Sequence, residues 1–246
     1  MNILKALSAL LVYPSRELQE SIPEIRSILE ACGNISDGAR SQLHLLTNSL
    51  ANDDIYELQE RYVDLFDRTR TLSLHVFEHI HGESRDRGQA MVDLQNHYAE
   101  HGLEIGAAEL PDFLPLFIEF LSTLPPSEAS DLLGEPINII SALGERLTKR
   151  NSPYQGVFQA LVSLSSNFPM QEQVRDILRQ PDTDPNDFAA LDAVWEDEAV
   201  QFGPGALASC KDEIFAKVRA GRRPAPGVNV PEHKPIIQYS PGGRNA

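Results

Sequence analysis

Apolar residues in this chain recur three and four positions apart through most of its length, and apolar–polar alternation of period two is nearly absent. That spacing lines one face of a helix and cannot line one face of a strand, so it commits the chain to an all-α fold. Ile3, Leu4, Leu7, Leu10 and Leu11 predict a first helix over about 3–12. Ser15 is placed to cap a second, which Pro23 is expected to restart before Gly33 stops it. Ser36 and Asp37 open a third around Leu43, Leu46 and Leu50. Asp53 and Asp54 open a fourth, on which Ile55, Leu58, Tyr62, Leu65 and Phe66 share a face. The stretch 69–83 mixes β-branched, aromatic and histidine side chains and has no clear period. Ser84 then predicts a helix through Met91, Leu94 and Tyr98 that ends at Gly102. Pro111 disfavours helix at Leu110, and Asp112 is read as the cap of a helix carrying Leu116, Phe117, Phe120 and Leu121. Ser127 starts a longer helix to Lys149, kinked or broken near Pro136. Ser152-Pro153 reads as cap and first helical residue of another, and shorter helices are expected over about 171–179 and 186–200, the latter holding the single tryptophan, Trp195.

The fold expected is therefore one helical bundle over residues 1–201. A tail over 202–246 follows, whose six prolines and six glycines favour a flexible segment with at most a weak helix near 211–219. Charge divides at the same place. The chain carries −15 overall, and residues 201–246 carry seven Lys/Arg against three Asp/Glu, which leaves 1–200 at −19. Such a field disfavours nucleic acid and anionic membrane and attracts cationic partners. No apolar run approaches the ~20 residues of a membrane span. The N-terminal apolar stretch 6–13 follows a single lysine, Lys5, and is cut short by Pro14, which argues against a signal peptide. Cys32 and Cys210 lie far apart in no zinc or redox spacing, so a reducing compartment is the default.

Chemistry-bearing patterns are sparse. His75 and His79 are four apart, as are His97 and His101, which on helices would put each pair on one face at a workable metal-ligand spacing. Asp93 lies another four before His97, but there is no HExxH and no third ligand at a family-typical position. No nucleophile elbow, P-loop or GxGxxG occurs, so an enzyme is not indicated. Glu83-Ser84-Arg85-Asp86-Arg87 has two readings: solvated charges at a helix start capped by Ser84, or the polar rim of an apolar peptide groove beside Phe77 and His81. The aromatics Tyr62, Phe66, Phe77, Phe113, Phe117 and Phe120 are spaced mostly as core, with some left to line such a groove.

Longer elements carry a resemblance. Leu11-Val12-Tyr13-Pro14, Tyr62 to Arg68 (YVDLFDR), Phe77 to Met91 (FEHIHGESRDRGQAM), Glu109 to Leu124 (ELPDFLPLFIEFLSTL) and Leu191 to Glu196 (LDAVWE) are similar to successive elements of the delta-subunit family of respiratory nitrate reductases. Phe113 stands where close relatives carry histidine, and the tail after Gly203 matches none of the family's elements. The resemblance implies an all-helical cytoplasmic chaperone, absent from the mature reductase. It would hold the apo catalytic alpha subunit by a leader-like N-terminal segment and a second region while molybdenum cofactor is inserted, with cofactor-biosynthesis proteins as further partners. It would keep no cofactor of its own and do no bond chemistry. The family's elements place partner binding at Tyr62, Leu65, Phe66, Asp67, Arg68, Phe77, Glu78, His79 and His81. They add Glu83, Arg85, Asp86, Arg87, Glu109, Pro111 and Asp112. A permanent structural subunit of the reductase and a histidine-cluster metalloprotein are the alternatives.

Overall fold

The computed structural model describes residues 2–81, 85–106, 109–179 and 234–235. Helices make up nearly all of the regular structure there, as the periodicity requires. In chain order they are α1 (Asn2–Ala9), α2 (Arg16–Ala31), α3 (Asp37–Asn52) and α4 (Ile55–Phe66), then a 3-10 turn, Arg70–Leu72. A short α5 (Glu78–His81), α6 (Arg85–Glu100), α7 (Leu114–Thr123), α8 (Pro126–Leu133), α9 (Ile137–Lys149), α10 (Gln155–Leu164) and α11 (Gln171–Leu178) follow. The first caps fall where the sequence puts them. Ser15 Oγ accepts from Leu18 N–H, Ser36 Oγ from Ala39 N–H and an Asp54 carboxylate oxygen from Tyr56 N–H. Each satisfies one of the amides a helix start leaves without an intrahelical acceptor, worth about 1 kcal/mol. Gly102, at φ 75°, turns the chain out of α6 in the left-handed region where a side chain would be strained.

The bundle is layered around α10. Its buried Val157, Phe158, Ala160 and Leu161 pack against α3 and α9, while α1 lies on α7 and α2 on α3. Gly156 permits the closest of these approaches. A Cβ there would sit 2.8 Å from Leu43 N and 2.7 Å from Gln42 Cβ, so α10 and α3 meet backbone to side chain with no room for a methyl group. Tyr62 of α4 packs beside the start of α10: its hydroxyl donates to Leu11 O at 2.8 Å, and its ring packs edge-on to Tyr13 and Tyr154. Two of the elements singled out in the sequence thereby meet in space. Among the described residues no helix is long and apolar enough to cross a membrane.

Several expectations need correction. α1 stops at Ala9, although Leu10 and Leu11 stay fully buried beyond it. α2 runs unbroken through Pro23, because Leu18, Ile22, Ile25 and Leu29 bury one continuous stripe on both sides of an exposed proline. That burial outweighs the ~3 kcal/mol a mid-helix proline costs. The helix expected over 127–149 breaks near Pro136, as expected, into α8 and α9; only its start differs, at Pro126 with no side-chain cap. α10 begins at Gln155, and Ser152 and Pro153 form the turn before it; the Ser152 hydroxyl makes no cap bond. The helix expected over 186–200, the boundary at 201 and the flexible tail lie outside the described residues. Of the tail, Lys234–Pro235 pairs in parallel with Leu103–Glu104.

Candidate functional site

The largest correction concerns Asp112. Helix α7 starts at Leu114 with Phe113 at its cap position and no side-chain cap bond. Asp112 instead turns inward, with a side chain 0% exposed. One carboxylate oxygen accepts from Phe77 N–H at 3.1 Å, and the other lies 3.1 Å from His75 Nδ1. An Arg87 guanidinium nitrogen sits 3.9 Å away and also bonds Glu78 at 3.2 Å. Main-chain bonds from Val76 N–H to Asp112 O and from Leu114 N–H to Leu74 O close the pair. The segment 74–78, the start of α7 and the first turns of α6 are thus held by one buried carboxylate. Burial alone would lower the His75 pKa, but the hydrogen bond and charge of Asp112, with Glu78, overcome it and hold that imidazole above its ordinary range. His79 goes the other way, pushed down by burial while its Nε2 meets Ser73 O at 2.8 Å.

Beside this staple, α1 and α7 enclose a groove of about 360 Å3, within the ~300–1,000 Å3 of ligand pockets. Ser8 Oγ donates to Pro115 O at 2.7 Å and pins the two walls together. Ala9, Val12, Tyr13, Phe113, Pro115 and Leu116 make an apolar floor, with Tyr62 reaching it from below. The charged groups around it are three carboxylates and one cation: Asp67, Glu109, Glu119 and Lys5. Partial burial raises the pKa of Asp67, with His75 opposing, and of Glu119, with Lys5 opposing. Glu119, the partly buried one of the two, gains the more when a cation is brought to it.

The residues singled out in the sequence divide accordingly. Asp67 and Glu109 reach the groove, and the buried Tyr62 lies beneath it. Tyr62, Phe66, Phe77, Pro111 and Asp112 are buried and serve the fold; Pro111 O takes the Tyr98 hydroxyl at 2.8 Å. In this conformation they offer a partner little or no surface, because the helical and loop positions that looked like a rim face inward. Leu65 is half-buried against the core, Arg68 pairs outside with Asp64, and Glu78, His79 and Arg87 belong to the staple. The side chains of His81, Glu83, Arg85 and Asp86 lie outside the described residues, as does the expected cap at Ser84. Phe120 is core, while Phe113 and Phe117 are half-exposed.

Lys5, Ser8, Val12, Leu116 and Glu119 were missed. One signal was present: Glu119 is a lone carboxylate inside the apolar run 114–121. Of the histidine pairs, only His97 and His101 come together, with ring centroids 4.7 Å apart. His75 and His79 point to different partners, and His97 and His101 stack around Phe120 at 5.5 and 5.3 Å. Among the described residues no three His, Cys, Asp or Glu side chains are grouped to hold a metal ion.

Comparison with known proteins is consistent with these elements. The family model described as nitrate reductase delta subunit matches residues 17–160. The chain is 37% identical over 239 residues to the nitrate reductase molybdenum cofactor assembly chaperone NarJ of Escherichia coli K12, covering 97% of this chain and 98% of the relative. It is 37% identical over 210 residues to the probable chaperone NarW of the same strain, covering 85% and 87%. It is 30% identical over 169 residues to the probable chaperone NarJ of Bacillus subtilis, covering 69% and 91%. The chain belongs to the nitrate reductase delta subunit family.

Proposed function

We propose that this chain is an assembly chaperone that binds the apo catalytic subunit of a respiratory nitrate reductase by its leader-like N-terminal segment, seated in the groove between α1 and α7. The observation that carries this reading is the combination of an apolar floor with three carboxylates around it in a domain of −19. An amphipathic helix with apolar residues on one face and basic residues at its edges is the complementary ligand. Relatives named as molybdenum cofactor assembly chaperones support the role.

Magnitudes assign the labour within the groove. Burying one leucine-sized side chain on the floor gains ~1.5–3 kcal/mol, whereas an exposed ion pair at the rim gains ~0.2–1 kcal/mol. The floor therefore sets affinity, and the acids set orientation and association rate. Release follows from linkage. The chaperone prefers the open apo subunit and lets go when cofactor stabilises the closed one, so it supplies no bond chemistry and retains no cofactor.

Calorimetry with a peptide from the N-terminus of the cognate catalytic subunit tests the reading. Binding is expected without added zinc or nucleotide and is expected to weaken as salt rises. Leu116→Asp should weaken it far more than Glu119→Gln. Absence of heat at tens of micromolar peptide in low salt refutes it.

A further inference from the structure

The groove between α1 and α7 has two electrically different ends. Ser8 Oγ bonds Pro115 O at its middle. Lys5 lies about one turn before Ser8, Glu119 about one turn after Pro115, and the charge of Lys5 acts on the Glu119 carboxyl. The two helices therefore run in opposite directions, with Lys5 and Glu119 together at one end. Among the described residues that line the groove, Lys5 is the only cation.

Tyr13, Tyr62 and Phe113 stand at the other end. Asp67 belongs there, since it faces His75, whose ring packs on Phe113 with centroids 5.4 Å apart. Glu109 leads into the turn that closes with Phe113 N–H on Leu110 O at 3.1 Å. The cations beside this end already have carboxylates: His75 is held by Asp112 at 3.1 Å and Arg68 by Asp64 at 3.2 Å. Two acids without a lysine thus mark one end, and an acid with a lysine marks the other. From Phe113 to Glu119 the wall is about 9 Å long, which is roughly six residues of a bound helix.

A bound helix is polar too. Its N-terminus carries the equivalent of roughly half a positive charge and its C-terminus half a negative one. A chain-terminal α-amine, mostly protonated at pH 7, adds to the first. We propose that the segment seated in the groove runs in one direction only, with its N-terminus between Asp67 and Glu109 and its C-terminal turn at Lys5. This rests on the peptide groove proposed above and adds the direction in which it is read. Lys5 then faces carbonyls that a helix end leaves without intrahelical donors, and the peptide's apolar face covers Val12, Phe113 and Leu116 between the ends. The rest of the catalytic subunit leaves past the start of α1 and the end of α7, which fixes the side on which its body is held.

Calorimetry at pH 7 with a synthetic peptide of the catalytic subunit's N-terminal segment, its α-amine free or acetylated, reads the direction. Acetylation is expected to weaken binding about two- to fivefold in the wild type and in Glu119→Gln, and to change nothing in the Asp67→Asn, Glu109→Gln double variant. Lys5→Met is expected to weaken both peptides alike by about twofold. If the double variant loses helicity, Glu109→Gln alone serves, and should reduce the acetylation effect. An acetylation effect that survives in the double variant and vanishes in Glu119→Gln overturns the proposal, because the segment then runs the other way. So does tighter binding by Lys5→Met. Binding that ignores acetylation in the wild type overturns the direction and leaves the groove reading standing, whereas no heat from either peptide overturns both.

Discussion

Replacing Asp112 separates the staple from the groove it stands beside. Asp112→Ala removes the acceptor of the Phe77 N–H and the carboxylate facing His75 and Arg87. A buried amide deprived of its acceptor costs ~1–3 kcal/mol, and breaking a fully buried ion pair costs ~3–5 kcal/mol. His75 and Arg87 keep 30% and 19% of their side chains exposed, so water screens part of the loss. A destabilisation of about 2–4 kcal/mol is expected for alanine, and about 1–2 kcal/mol for asparagine, which keeps an acceptor for Phe77. Urea unfolding followed by circular dichroism measures both, as a fall in midpoint at unchanged slope. The pH dependence adds a sign. The raised pKa of His75 means its contribution is fully present below its unfolded value of ~6.5 and is lost as pH rises through the folded value. His79 and His97, both lowered, contribute stability that is present above ~6.5 and lost as pH falls. The gap between wild type and Asp112→Asn isolates the first effect: it should be widest at pH 6 and narrow toward pH 8. An alanine variant within 0.5 kcal/mol of wild type, or a gap that is flat over that range, refutes the staple.

Gly156→Ala forces a methyl group onto Leu43 N and should cost about 1–3 kcal/mol, a melting temperature lower by several degrees in differential scanning calorimetry. Arg85→Ala and Asp86→Ala, at the start of α6, should melt within about 0.5 kcal/mol of wild type yet lower nitrate reductase activity in a complementation assay. A sharp fall in melting temperature in both would make these residues structural. Deleting residues 221–246, rich in proline and glycine, removes only the two-residue pairing of Lys234–Pro235 with Leu103–Glu104 and should leave helicity and melting temperature nearly unchanged. Peptide affinity should also be unchanged after that deletion, and a rise would show that the basic tail competes for the acidic groove.

Helix starts with a local cause were legible. Ser15, Ser36 and Asp54 bond amides two or three residues ahead, so their partners lie within one turn of sequence. Pro23 was misread because its effect depends on what Ile22 and Ile25 bury, which is a tertiary fact. Asp112 carries the same local pattern as a helix cap, an acid after a proline and before an apolar run, yet its partner amide lies 35 residues earlier. Nothing in the local pattern distinguishes the two. The family elements include Phe77, Glu78, Arg87 and Asp112, which come together around the staple. They marked them as surface, however, because shared sequence does not say which way a side chain faces. The groove was illegible apart from Tyr62, Asp67, Glu109 and Phe113, since its walls come from helices that no sequence window spans.

The Ser8–Pro115 bond joins residues 107 apart. At roughly 5–20 residues per second, synthesis separates the two walls by roughly 5–20 s. Throughout that interval α1, with Leu7 destined for full burial against the bundle, has no α7 to lie on. The groove between α1 and α7 therefore comes into being late on the ribosome, and a nascent chain stalled before residue 115 has a hydrophobic N-terminal helix but no groove. A chaperone of this topology begins life as a client, and a slowed codon run between α6 and α7 would lower its yield without altering one residue of the finished protein.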